Sequence, residues 1–141
     1  MGSPNGGIIG VVNPTSFGKC TVTSQTASGT LTTQPGTRLA SYAVIAGGGS
    51  GGTNQGSGGG AGGLRTFTCQ SVCGAAAYPI TVGAGASAGL APNGCGATGS
   101  NSSITIGSTT YTSSGGGRGR TVNASAPGGP GLSDGGPGGS G

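Results

Sequence analysis

Side chains capable of acid-base or nucleophilic chemistry are scarce in this chain. Asp134 is the sole carboxylate side chain, Lys19 the sole lysine, and histidine and tryptophan are absent. General acid-base catalysis needs a titratable group held in a shaped, dry pocket, and a serine or threonine nucleophile needs an adjacent base. Hydroxyl residues are abundant here, but their partners are missing. The chain is therefore read as no enzyme, and no catalytic residue is assigned. Four cysteines, Cys20, Cys69, Cys73 and Cys95, follow one another at intervals of 49, 4 and 22. A structural zinc site would combine a C-x2-C with a second such pair or with histidines, so no metal ligand set is assigned and no cofactor is expected. Cys69 and Cys73 can close a disulfide across a strand-to-loop turn, with Cys20 and Cys95 paired or free. Simple buried thiols are the alternative, and four cysteines allow about three connectivities.

The glycine runs invite comparison with phosphate-binding loops, and GGGSGG has their superficial look. A P-loop requires Gly-Lys-Ser or Gly-Lys-Thr, whereas Gly18-Lys19 is followed by Cys20. Nor does a helical pattern follow whose N-terminus could hold an anion. The net charge is +4, carried by Lys19, Arg38, Arg65, Arg118 and Arg120, of which only the last two are close together. A nucleic-acid surface would combine a basic cluster with stacking aromatics, so no nucleic-acid partner is expected. No apolar run approaches the ~20 residues of a spanning helix, and no membrane insertion is expected. The start, MGSPNGGIIGVVNP, lacks Lys and Arg and is not read as a secretory signal. The sequons at Asn101 and Asn123 accordingly carry no weight. Tyr78, Tyr111, Arg118 and Arg120, with Tyr42, are the candidate contacts for a surface ligand such as a glycan. The alternative for each tyrosine, and the preferred one, is a strand side chain packed on its neighbours.

The elements that must position these residues are dominated by glycine. From Gly47 to Gly63, eleven of seventeen residues are glycine. Each ordered glycine costs roughly 1 to 2 kcal/mol of backbone entropy and buries no side chain in return. Such a run either stays disordered as a linker or pairs its N–H and C=O groups with neighbouring extended segments that lie closer than side chains allow. Only 20 of 141 residues are Ile, Leu, Val or Phe, and ten of these fall in residues 1–45, which hold seven of the 38 glycines. The chain is two materials joined near Ala46. With almost no charge to repel itself, backbone pairing is free to win. The thin core points to self-assembly, in which copies bury together what one leaves exposed.

In chain order, residues 1–18 form an extended arm around Ile8-Ile9 and Val11-Val12, suited either to burial by another chain or to a frayed terminus. Residues 19–46 read as three short antiparallel strands, KCTVTSQT, SGTLTTQ and TRLASYAVIA. In the third, Leu39, Ala43 and Ile45 share one face and Arg38, Ala40, Tyr42 and Val44 the other; both are half apolar, which predicts cover on both sides. Residues 47–126 form a glycine-rich β domain with strands at LRTFTCQS and YPITVG. A hairpin is expected near 104–112, where the Gly-Ser pair of ITIGSTTYT makes a two-residue turn. Residues 127–141 are a Pro/Gly-rich tail whose glycine register breaks at Asp134, which excludes collagen. No segment has a helical period with usable caps. The fold class is all-β, with irregular or polyglycine-II-like segments and essentially no α-helix.

The order YAVIAGGGSGG, GGGAGGLRTFT, YPITVGAGA, NGCGATGSNSSITIG and SGGGRG resembles the glycine-rich domain of bacteriophage tail fibres and related virion appendages. The resemblance covers residues 37–120 and rests most on Tyr78 to Gly85 and Gly99 to Ile106, which are ordered motifs and not bulk composition. It implies a homo-oligomeric, usually trimeric, fibre or spike on a virion that contributes to host attachment and meets other tail proteins and a host surface glycan. Ile8, Ile9, Val11, Val12 and Phe17 would then be virion-docking side chains. Cys69, Cys73 and Cys95 depart from the family pattern, and residues 1–36 lie outside it. The alternative is a freestanding glycine-rich module, extracellular or ice-binding, whose flat faces meet an ordered surface.

Overall fold

A computed structural model describes residues 22–53, 56–88 and 94–121. The expected arm at 1–18 and tail at 127–141 lie outside the described residues. Within them the chain is all-β, without α-helix, and six strands follow in order: β1 (Gly29–Thr32), β2 (Leu39–Ile45), β3 (Leu64–Ser71), β4 (Ala77–Thr81), β5 (Ser102–Ile106) and β6 (Thr109–Ser113). They make two antiparallel sheets, one in the order β1-β4-β5-β6 and the other a β2-β3 ladder. The strands arise where the sequence leaves glycine for Thr, Val, Ile and Tyr, whose branched or aromatic side chains suit a half-buried pleat.

The expected hairpin is present. Ile106 pairs with Thr109, which leaves Gly107 and Ser108 as a two-residue loop, and Gly107 has a φ of 61°. A positive φ at the first loop position, supplied by glycine, matches the right-handed twist of the flanking strands. Pro79 sits opposite Thr30 in the β1-β4 ladder, and β4 meets β5 only beyond it, at Ile80 and Thr81. Proline donates no ladder hydrogen bond, so two-sided pairing begins after it.

Two expectations for residues 19–46 are corrected. Residues 22–26 form no strand, and β1 and β2 lie in separate sheets. The reason is the turn after β1, where Thr37 N–H donates to the Gln34 carbonyl at 3.1 Å and Gly36 takes a φ of 85°, carrying the chain across to the other sheet. Cover on both faces of β2 is also absent: Leu39 is 60% exposed and Ile45 64%, while Val44 on the other face is buried.

The apolar core lies between the sheets. Val44, Tyr78 and Ile104 are buried together, with Tyr42, Phe67, Val72, Ala76, Ile80, Ile106 and Tyr111 packed around them. Tyr42 stacks on Phe67 at 4.9 Å between ring centroids, and Tyr111 meets both rings edge-on at 6.0 and 4.8 Å. Aromatic groups thus supply much of the buried area that few aliphatic residues are present to supply.

Five glycine-rich segments continue directly from strand ends. Residues 46–53 follow β2, 56–63 lead into β3, 82–88 follow β4, 94–101 lead into β5, and 114–121 follow β6.

Candidate functional site

These five segments form a bundle that is held by main-chain hydrogen bonds recurring at every third residue. Ala46, Gly49 and Gly52 donate to the carbonyls of Gly63, Gly60 and Ser57 at 2.8 to 3.0 Å. From the same segment, Gly47, Ser50 and Thr53 donate in a different direction, to Ser100, Ala97 and Gly94, each at 3.0 Å. Ser57, Gly60 and Gly63 donate to Arg120, Gly117 and Ser114 at 2.8 Å, and Gly96 and Gly99 to Gly119 and Gly116 at 3.0 and 2.9 Å. Gly116 and Gly119 donate in turn to Gly47 and Ser50, a parallel pairing, at 2.8 and 2.7 Å. Ala86 donates to Gly48 at 2.8 Å. Segment 46–53 is thereby bonded to all four others. A pleated strand, by contrast, alternates its bonds at period two and reaches two neighbours at most.

The glycines are required by closeness of approach. A Cβ built on Gly49, Gly52, Gly56, Gly59, Gly62, Gly96, Gly99, Gly116 or Gly119 would overlap a carbonyl oxygen of a neighbouring segment. These positions recur as Gly-x-x-Gly, at 49 and 52, at 56, 59 and 62, at 96 and 99, and at 116 and 119, while Gly47, Gly83 and Gly115, whose Cβ would also meet a carbonyl oxygen, fall outside that spacing. Gly58, in contrast, has nothing within 4 Å of its Cβ position, and Ala61, three residues on, is exposed. One class of position faces the bundle interior and another faces outward.

Between segments, three hydroxyl side chains accept main-chain N–H bonds in place of a carbonyl. Ser50 Oγ accepts from Ala97 N–H at 2.8 Å, Thr53 Oγ1 from Gly94 N–H at 2.8 Å, and Ser57 Oγ from Arg120 N–H at 2.8 Å. Each of these residues also donates its own N–H to the same partner, so each closes a two-bond clamp. Ser102 Oγ and Asn101 Oδ1 accept from Gly83 and Gly115 N–H at the base of the bundle, at 2.9 and 2.8 Å. Composition alone did not single out these acceptors; the three-residue spacing of Ser50 and Thr53 was the available signal.

The candidate surface-ligand contacts are not gathered at one surface, and the tyrosines pack on their neighbours, as preferred for them. Tyr78 is 7% exposed, and its hydroxyl accepts from Cys73 N–H at 2.7 Å and faces the Cys73 carbonyl at 3.3 Å. It locks the β3-to-β4 turn, which Thr33 Oγ1 also holds by donating to the Cys73 carbonyl at 2.6 Å. Tyr111 is half-buried in the aromatic cluster. Arg118 and Arg120 are exposed on the bundle. Arg65 lies 5.1 Å above the Phe67 ring and donates to the Thr112 carbonyl at 2.9 Å. Burial, and then the neighbouring Tyr111, push the Tyr42 phenol above its ordinary range, with Arg65 opposing.

Cys69, Cys73 and Cys95 are exposed free thiols, so the Cys69–Cys73 bond is not formed in this structure. Cys69 occupies the β-bulge opposite Ser41, with a φ of 51°, and donates its N–H to Ser41 Oγ at 3.1 Å. Ile8, Ile9, Val11, Val12 and Phe17 lie outside the described residues. Among the described residues no three His, Cys, Asp or Glu side chains are grouped to hold a metal, and no helix is long and apolar enough to cross a membrane.

A family model described as a glycine-rich domain matches residues 22–141. No curated protein and no solved structure matches the chain.

Proposed function

We propose, from the premise that this chain belongs to the glycine-rich domain family over residues 22–141, that it is a freestanding, non-catalytic structural module. Its glycine segments are polyglycine-II helices, with about 3 residues per turn and a rise of about 3.1 Å per residue. The observation that carries this reading is the three-residue recurrence of the main-chain hydrogen bonds along these segments. A segment of three-fold symmetry turns successive amides about 120° apart and can bond to several neighbours, as residues 46–53 do. Satisfied backbone groups in a dense bundle resist proteolysis and bending, which suits an extracellular spacer or surface-binding scaffold. An ice-binding role belongs to the same reading, with the outward positions of the bundle meeting the ordered surface.

A virion appendage is the second reading. It rests on the resemblance of the Tyr78 to Gly85 and Gly99 to Ile106 motifs to the glycine-rich domain of bacteriophage tail fibres. In that setting the chain is a trimeric fibre or spike, with other tail proteins and a host glycan as partners.

Sedimentation of the full chain with and without reductant, followed by limited proteolysis, separates these readings. The first predicts a folded monomer resistant to cleavage within the hydrogen-bonded segments 46–53, 56–63, 94–101 and 114–121. An obligate trimer would replace it with the second reading, and a monomer cleaved throughout the glycine runs would overturn both.

A further inference from the structure

Strand alternation gives the four-stranded sheet two unlike faces. Tyr78, Ile80 and Ile104 turn inward to the core, so their neighbours in β4 and β5 turn outward, and the cross-strand register carries that outer face through all four strands. Of its nine outward positions, seven carry a hydroxyl and the other two are Ala77 and Pro79. Thr81, Ser103 and Thr112 lie opposite one another on β4, β5 and β6, and Thr105 and Thr110 form a second row two residues along. Thr30 and Thr32 continue the face on β1. Thr30, Thr32, Thr81 and Thr110 are exposed. The outer face of β2 and β3 is of another kind, since Leu39, Ile45 and Leu64 stand exposed there.

These hydroxyls are ordered before any partner arrives. Threonine is branched at Cβ and restricted at χ1, and Thr105 and Thr110 share a hydrogen bond between their Oγ1 atoms at 2.9 Å. Each hydroxyl offers a donor and acceptor lone pairs. The array repeats at about 4.8 Å from strand to strand and about 6.7 Å along a strand. That two-dimensional repeat is close to the spacing of water oxygens on the faces of ice. Other partners demand groups that this face lacks. A protein hot spot or a stacked sugar ring needs aromatic or arginine anchors, yet Tyr42, Phe67, Tyr78 and Tyr111 pack in the sandwich core. An anion needs Arg or Lys, and none of the nine positions is charged. Ice excludes ions and accepts hydroxyls, so the neutrality that weakens the other contacts favours this one. From the rows, their fixed rotamers and the absence of charge, we infer that the outer face of the four-stranded sheet binds ice. The inference rests on the structural-module reading and adds a regular sheet face to the outward positions of the bundle.

Inhibition of ice recrystallisation by the full chain tests the assignment, with Thr81→Lys and Thr110→Lys on the hydroxyl face and Thr66→Lys, exposed on β3, as a control of equal charge. An ammonium pressed against ice loses hydration without gaining a partner, so each face variant is expected to raise the minimum active concentration by about 10-fold or more. Thr66→Lys is expected to leave it unchanged. Three results overturn the inference: no effect of the folded wild-type chain on ice growth, face variants as active as wild type, or a loss in Thr66→Lys equal to theirs. The first removes ice binding while the structural-module reading stands or falls separately, on sedimentation and proteolysis. The second confines the activity to the bundle. The face variants lie on different strands and are scored only if they keep the wild-type melting temperature, so either one that folds decides.

Discussion

Adding one methyl group to Gly52 brings it into the Arg120 carbonyl oxygen, whereas the same methyl on Gly58 meets nothing within 4 Å. The first change must push apart two backbones and disrupt the Ser57–Arg120 clamp, so Gly52→Ala is expected to destabilise by about 3 kcal/mol. Gly58→Ala removes only unfolded-state freedom and is expected to stabilise by about 0.5 kcal/mol. Denaturant unfolding of the two variants reads the contrast directly, and equal effects would contradict an interior and an outward class of glycine. Tyr42 makes a second prediction at this scale. Its hydroxyl is buried without a hydrogen-bond partner, and its phenol is raised by burial first and by Tyr111 second. The folded state therefore keeps the proton to a higher pH than the unfolded chain does. The associated stability is full below the unfolded phenol value of about 10 and declines as pH rises through the folded value. Tyr42→Phe should leave the protein as stable or more so by up to about 1 kcal/mol at neutral pH and flatten the alkaline fall of its melting temperature.

Strands and glycine segments were legible in the sequence to different degrees. LRTFTCQS is β3 residue for residue, YPITVG contains most of β4, and the Gly-Ser turn of the hairpin falls at 107–108, because in each case branched or aromatic residues alternate between clear breakers. The partnering was not legible. SGTLTTQ and TRLASYAVIA look like neighbours in a meander, yet β1 pairs with β4 and β2 with β3, since a short polar strand gives no register signal that ties it to its sequence neighbour. The period of three was hidden for a different reason: where most residues are glycine, the glycines that must be glycine cannot be told from those that need not be. The same excess concealed the hydroxyl clamps of Ser50, Thr53 and Ser57. Tyr78 was weighed as a surface contact because a tyrosine in an alternating strand has no mark to say which face is covered. The hairpin offers the test at this scale. Gly107 holds a φ of 61°, so Gly107→Ala should cost roughly 1 to 3 kcal/mol, and D-alanine at the same position should restore the loss. Melting temperatures of the two synthetic variants check it.

For the molecule as a whole, a small aromatic-centred sandwich anchors the ends of five segments, and the segments hold one another through their backbones. The sandwich sets which segment lies beside which, because each leaves or enters a strand whose place is fixed by side-chain packing. The bundle then gains rigidity without a side-chain core, which is how segments that are mostly glycine can be ordered among the described residues with few strong core formers beside them. Residue-resolved amide exchange of the bundle at neutral pH is the most direct measurement of this account. It predicts slow exchange at Gly49, Gly52, Gly60, Gly63, Gly96, Gly99, Gly116 and Gly119, recurring at three-residue intervals, with protection approaching that of Val44 and Ile104 in the sandwich. Exchange of these glycines at unstructured rates, while the sandwich amides remain protected, would contradict it.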